Sequence, residues 1–252
     1  MSGMWTDDHE RDPYARRVVV CLYGASKLGK THAYLSLARD LGRGGARVFV
    51  FSFDHGLKLL SKERWRYCYV DKSGAERCTV KVCYPGVSGS LLPELRAARS
   101  QVAQLVAETI KAGCPPERIW VVTDTINHLQ DELLKESRKW EVREAQGGDK
   151  KDRSGGGAGG EYAREFTIKA DFGINLSLLS EHMSDLRRLP VNLLYVANEK
   201  EGFGTGRGGP ALQGQPKIRV LGDADVVLHL AARLDGARYF EVRPGGGWDG
   251  GD

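Results

Sequence analysis

No stretch of this chain approaches the roughly twenty consecutive apolar residues of a membrane span, so no membrane-crossing helix and no membrane partner is expected. Cysteine is sparse: Cys21, Cys68, Cys78, Cys83 and Cys114 are the only five in 252 residues, and none form a CxxC pair. That excludes the spacing of zinc ribbons and of thioredoxin-like redox sites. With an odd cysteine count and no leader-like opening, the expected setting is a reducing cytoplasm. Cys78 and Cys83 could supply half of a zinc site, but two thiols on a β-rich stretch also read as ordinary core or edge residues. A charge excess of one sign is missing too. The chain carries 37 basic and 33 acidic residues, a net +4, so any contact with nucleic acid must come from a local patch.

Glycine, by contrast, is plentiful, with 32 residues. The most informative of them lie in Gly24-Ala25-Ser26-Lys27-Leu28-Gly29-Lys30-Thr31, a complete G-x-x-x-x-G-K-[ST] phosphate-binding loop. It follows the apolar run Val18 to Tyr23 and precedes a helical stripe containing Tyr34, Leu35, Leu37, Ala38 and Leu41. A buried strand that breaks into such a loop and then a helix aims several backbone N–H groups at one point. That point lies at the positive end of the helix dipole, which suits a polyphosphate. Gly24 and Gly29 let the chain turn and approach the phosphates. Lys30 is expected to reach the β- and γ-phosphate oxygens, and the Thr31 hydroxyl to ligate Mg²⁺. Lys27 occupies a variable loop position and is read as facing solvent. The chain is therefore expected to bind a nucleoside triphosphate, ATP with Mg²⁺.

Further along, apolar runs and helical stripes alternate. Ala46 to Phe53, Ile119 to Asp124 and Val191 to Ala197 read as buried strands, and Val226 to Leu230 with Tyr239 to Val242 as the last two, joined at Asp235-Gly236. Trp65 to Tyr84 reads as two β segments around a turn at residues 71–74. Helical patterns cover Leu92 to Ile110, the charged stretch after Asp124 to about Gln146, and Phe166 to Leu189. This alternation implies an α/β fold whose sheet is mostly parallel with helices on both faces. One domain is expected over residues 17–243, with a disordered arm at 1–16, a flexible glycine-rich loop at 147–160 and a disordered tail at 244–252.

In an open parallel sheet the site forms beyond the carboxyl ends of the strands. Asp124 follows four apolar residues, the pattern of a Walker-B carboxylate that holds Mg²⁺ through water, although an aspartate there also serves as a helix N-cap. Thr125 beside it reads as a cap. Asp54 ends the second strand in Phe53-Asp54-His55-Gly56, where a carboxylate can deprotonate or orient the attacking water or else simply close a turn. Asn198 ends the fourth strand, where a polar group can sense the γ-phosphate or merely terminate the strand.

GASKLGKT, FSFDHGLKLL, WVVTDT and LLYVANEKEG, in that order, resemble the core of RecA-like ATPases, in particular the short phage-encoded RecA-like ATPases of the Sak group that act in single-strand annealing and recombination. The run Pro210 to Lys217 followed by Asp223-Ala224-Asp225, and Asp171-Phe172-Gly173 before the long helix, are similar to stretches of the same family. Two positions depart from its pattern: Asp54 stands where RecA has the catalytic glutamate, and Asn198 where the phage proteins have histidine. The resemblance covers about residues 17 to 243. It implies a RecA-like fold with Lys30, Asp54, Asp124 and Asn198 as catalytic residues, and hydrolysis of ATP stimulated by single-stranded DNA. The implied partners are copies of the same chain, single-stranded DNA and a single-strand-binding protein. In such proteins the loop after the fourth strand contacts DNA, and here Glu201 to Arg219 offers Lys200, Phe203, Arg207, Lys217 and Arg219 for phosphates and one stacked base. Lys217 or Arg219 could instead reach a neighbour's γ-phosphate in an oligomer. A nucleotide kinase and an ATP-switched helicase loader use the same loop and stand as alternatives. The glycine-rich 147–160 segment, though, is poor in the arginines of a kinase lid.

Overall fold

A computed structural model describes residues 17–35, 47–54, 68–70, 76–147, 169–200, 209–212 and 215–244. The expected arm at 1–16, most of the glycine-rich loop, the tail beyond 244, His55, Phe203 and Arg207 lie outside the described residues.

Ten strands are described: β1 (Val19–Gly24), β2 (Arg47–Ser52), β3 (Cys68–Val70), β4 (Glu76–Cys78), β5 (Val80–Cys83), β6 (Ile119–Asp124), β7 (Asn192–Lys200), β8 (Gly209–Pro210), β9 (Val226–Ala232) and β10 (Arg238–Pro244). Helix α1 begins at Lys30 and is described to residue 35. It is followed by α2 (Leu91–Lys111), α3 (Ile126–Gly147), α4 (Lys169–Arg187) and α5 (Gln215–Asp223). The main sheet has eight strands in the order β10-β9-β1-β7-β6-β2-β5, with β8 alongside β7. Every pairing from β9 to β5 is parallel, and only β10 and β8 run antiparallel to their neighbours. The mostly parallel α/β sheet expected from the alternation is the one observed.

Parallel strands covered on both faces read as continuous apolar runs, which is why these strands were legible. On one face Cys21, Tyr23, Phe51, Val121, Leu193 and Tyr195 pack against α2, α3, α4 and α5. On the other, Leu22, Val50, Val122 and Leu194 meet Tyr34 and Leu35 of α1. Each such side chain contributes about 1.5–3 kcal/mol by leaving water. The start of β1 is pinned from both neighbours. The Val18 amide donates to Asn192 Oδ1 at 2.9 Å, and the Val19 amide to Asp225 Oδ2 at 2.8 Å. These contacts fix how far β1 projects and hence where its carboxyl end delivers the phosphate loop.

Two features differ from the sequence reading. The cysteine-bearing stretch holds three β segments rather than two. β3 and β4 form a separate antiparallel pair, while β5 joins the main sheet parallel to β2. Val80-Lys81-Val82-Cys83 alternates because it is an edge strand, with Lys81 exposed and its neighbours half-buried. The second is α5, a helix over residues expected to be part of a loop. Its Val220 and Leu221 are buried against the core, and tertiary packing overrides the weak local signal of a segment opening on Gln-Pro. At the far edge, β9 and β10 form the expected hairpin through Asp235-Gly236, with Gly236 at φ 82°. No helix among the described residues is long and apolar enough to cross a membrane.

Candidate nucleotide-binding site

β1 ends at Gly24 between β7 and β9, opposite Asn198 on one side and Leu230 on the other. The loop then turns through exposed Ala25, Ser26 and Lys27, with Lys27 at φ 65°, and half-buried Leu28. Gly29, at φ 98°, adopts a backbone that side-chain-bearing residues rarely take. Its carbonyl accepts the Ala33 amide at 2.9 Å, the first turn of α1. Gly24 has a different reason to be glycine. A Cβ there would stand 2.4 Å from the Leu230 carbonyl oxygen of β9. Close strand packing, rather than a turn, sets that position.

Lys30 is buried, and its ammonium donates to the Gly24 and Ala25 carbonyls at 2.9 Å each. Burial lowers its pKa, while the carboxylates of Asp124, Asp54 and Glu199 pull it back up. Three acids from three strand ends thus act on the cation. Asp124 is the most constrained of them. Its Oδ2 accepts the Thr31 hydroxyl at 3.2 Å and the Tyr34 hydroxyl at 2.8 Å, whereas its buried Oδ1 has no hydrogen-bond partner. Burial, then the charge of Asp54, push this carboxyl up to about 6. Tyr34 is raised well above the usual phenol range by burial and by Asp124.

The Asp124 side chain does not cap the following helix. An N-cap carboxylate would accept an amide of the following helix; this one accepts hydroxyls from α1 across the sheet. Thr125 does not cap with its side chain either. Its carbonyl accepts the Leu129 amide at 3.1 Å, and its hydroxyl has no partner.

The residues fit a divalent cation. Thr31 and Asp124 supply hard oxygen donors side by side, and the orphaned Oδ1 is a buried acceptor that a metal-bound water can satisfy. Among the described residues no group of three or more His, Cys, Asp or Glu is arranged to hold a metal. Mg²⁺ takes one or two protein ligands and completes its shell with phosphates and water. The Cys83 thiol donates to the Val50 carbonyl at 3.5 Å, and burial pushes its pKa up to about 12.

Asp54 follows β2 directly, close enough to Lys30 and Asp124 to perturb both. The turn is drawn in by the Phe53 amide, which donates to the Asp124 carbonyl at 2.7 Å. Asn198 sits at the same level, level with Gly24, its amide donating to Asn127 Oδ1 at 2.9 Å. The structure therefore gathers Lys30, Thr31, Asp54, Asp124 and Asn198 around one loop.

Of the candidate DNA contacts, Lys200, Lys217 and Arg219 are among the described residues. Lys217 and Arg219 lie on α5 rather than on a loop, with Lys217 half-buried. Arg219 pairs with Asp223 one turn on, at 3.2 Å. Lys200 is exposed at the end of β7.

Several site residues escaped the sequence reading. Tyr34 belongs to the apolar stripe of α1, yet it lies three residues after Thr31 and so on the same helical face. Asn127 and Glu199 carried no motif. His229 of β9 stacks on Tyr23 at 4.7 Å, between Glu199 at 3.1 Å and Glu241 at 3.2 Å. Strands far apart in sequence meet there, and no local spacing announces it.

Behind the site, fully buried His182 of α4 lies 3.2 Å from the Thr123 hydroxyl and edge-on to Phe51. Burial, helped by Arg99, lowers its pKa from 6.5 to about 3. The unfolded ring takes up a proton below about 6.5 and the folded one resists until about 3, so the unfolded chain binds more protons across that window. This contribution to stability is present above 6.5 and is lost as pH falls. Thermal melts of wild type and His182→Gln between pH 4 and pH 7 should show it. The wild type should lose more stability on acidification than the variant, by up to about 2 kcal/mol at pH 5. Parallel pH profiles would refute the assignment.

A central parallel strand thus feeds a glycine-rich loop on an α/β sheet, and Lys30, Thr31 and Asp124 converge on that loop. No protein-family model matches the chain, and no curated protein matches it. Among solved structures it is similar to the KaiC-like protein PH0186 from the hyperthermophilic archaeon Pyrococcus horikoshii OT3. The identity is 12%, the TM-score 0.45, and the match covers 91% of this chain and 79% of that one.

Proposed function

We propose that this protein is a RecA-like, Mg²⁺-dependent ATPase that acts on single-stranded DNA in phage recombination or replication. The observation that carries the hydrolytic part is the convergence of Asp124 on the Thr31 hydroxyl, with Lys30 and Asp54 beside them. A cradle that only held phosphate would not need two more carboxylates crowded around its lysine.

In this reading the loop amides bind the β- and γ-phosphates, and Lys30 exchanges its two carbonyl partners for phosphate oxygens. Thr31, and Asp124 through water, would hold Mg²⁺, which offsets negative charge on the phosphates. Asp54 accepts a proton from a water as its oxygen bonds to the γ-phosphorus. The bond from that phosphorus to the β–γ bridging oxygen breaks, and ADP departs with the electron pair. Asn198, whose backbone amide is held by Asn127 at the level of Gly24, would orient the γ-phosphate or the water. The DNA-directed half of the proposal rests on the resemblance to phage RecA-like ATPases and on Lys200, Phe203, Arg207, Lys217 and Arg219.

The rate of ADP formation with and without single-stranded DNA, with Lys30→Ala as control, tests this reading. Stimulation by DNA that weakens as salt rises is the expected result. Phosphate transfer to a nucleoside monophosphate would replace it with a kinase. Stimulation only by a second protein would replace it with an ATP-switched loader.

A further inference from the structure

A cavity of about 450 Å³ opens beside the phosphate loop, on the α1 face of the sheet, and runs from Tyr34 of α1 and Trp120 of β6 to β9 and β10. Leu28, Gly29 and His32 form one wall, Leu230 of β9 part of the floor, and Arg238 and Phe240 of β10 the other wall. Its volume is within the range of small-ligand sites. Buried and half-buried apolar side chains make up most of its lining, and the exposed members are His32, Arg238 and Phe240. We propose that the mouth of this cavity is the nucleobase site, in which Arg238 and Phe240 grip the base of the nucleotide whose phosphates occupy the loop. The inference rests on the nucleotide-binding reading of that loop and extends it to residues on the edge hairpin.

Three observations support it. The first is direction. Thr31 turns to Asp124 on β6, which lies on one side of β1, while β9 and β10 lie on the other. A triphosphate with its γ end at Thr31 and Asp124 therefore sends its nucleoside toward β9 and β10. His32 is the next residue on α1, turned by about 100° from Thr31 and facing the cavity. The second is contact. Arg238 reaches over the loop so closely that a Cβ on Gly29 would stand 2.5 Å from its Nη1. Arg238 is thus brought by a different strand to the glycine that the phosphates must approach. The third is chemistry. A guanidinium plane and an aromatic ring beside an apolar floor offer stacking and apolar contact to the face of a base. Leu230 also supplies the carbonyl that forbids a side chain at Gly24, so the cavity floor and the loop are fixed to each other.

Binding of ATP and of inorganic tripolyphosphate, measured by calorimetry, tests the assignment on the full chain. Phe240→Ala should weaken ATP about tenfold or more and leave tripolyphosphate within about twofold, and Arg238→Ala, beside Gly29, should weaken both ligands but ATP the more. Lys30→Ala should weaken both ligands. Because Phe240 is 50% exposed on an edge strand, Phe240→Trp should fold, and its added fluorescence should be quenched by ATP but not by tripolyphosphate. If both alanine variants bind ATP as wild type does, or lose ATP and tripolyphosphate equally, the base lies elsewhere. Should Lys30→Ala leave both ligands unaffected, it is the reading of the loop itself that fails.

Discussion

Asp124→Asn should lower ATP hydrolysis by at least about a hundredfold and at the same time leave the metal-free protein as stable as wild type, or more so. The two effects have one cause. Asp124 is 1% exposed, its Oδ1 has no partner, and Asp54 adds like charge, so its carboxyl is pushed from 3.8 up to about 6. The folded chain then binds more protons than the unfolded one between those two values. Stability is highest below 3.8, falls as pH rises through that window, and stays lowered at neutral pH. That shift corresponds to about 3 kcal/mol. Asparagine keeps an acceptor for the Thr31 and Tyr34 hydroxyls and removes the buried charge, so melting temperature in EDTA should hold or rise. It also removes the negative oxygen for a metal-bound water, so activity should collapse. A variant that melts well below wild type and hydrolyses ATP normally would overturn this view of Asp124.

Gly24→Ala should be the most destabilising single-methyl change in the site. The added Cβ would lie 2.4 Å from the Leu230 carbonyl oxygen and 3.2 Å from the Leu230 Cβ. The first of these is backbone in a paired strand, which cannot swing aside as a long side chain does. β1 must therefore part from β9 at Gly24, where the two strands are in register. Overpacking of this kind costs about 1–3 kcal/mol, and more where the obstacle is backbone. Chemical denaturation should place Gly24→Ala at least about 3 kcal/mol below wild type, with nucleotide affinity reduced because the loop is displaced. The same change at exposed Gly173, where a Cβ meets nothing within 4 Å on α4, should be neutral or slightly stabilising. Equal stability of the two variants would show that β1 and β9 are not packed as described.

The legible parts of this protein are those whose cause is local. A phosphate loop is one contiguous segment, and each strand end beside it carries a polar residue after an apolar run. Asp54, Asp124 and Asn198 could therefore be singled out before their meeting was known. Tyr34 shows the limit of that method: its spacing from Thr31 was visible, but only the placement of β6 puts an aspartate within reach of both. Arg238 lies more than two hundred residues from the loop it leans over, and the pairing of β9 with β1 is what brings it there. The division of the second β segment into β4 and β5, and the helix α5, were not legible for a related reason. Both β5 and α5 are short, and each is held by partners distant in the chain rather than by its own periodicity.

Single-turnover hydrolysis of γ-labelled ATP, with protein in excess and Mg²⁺ present, tests the central claim most directly. The wild-type chain with single-stranded DNA should release labelled phosphate, while Lys30→Ala, and wild type in EDTA, should release none above background. Equal release by wild type and Lys30→Ala, or no release by the wild type with DNA and Mg²⁺, would contradict the account.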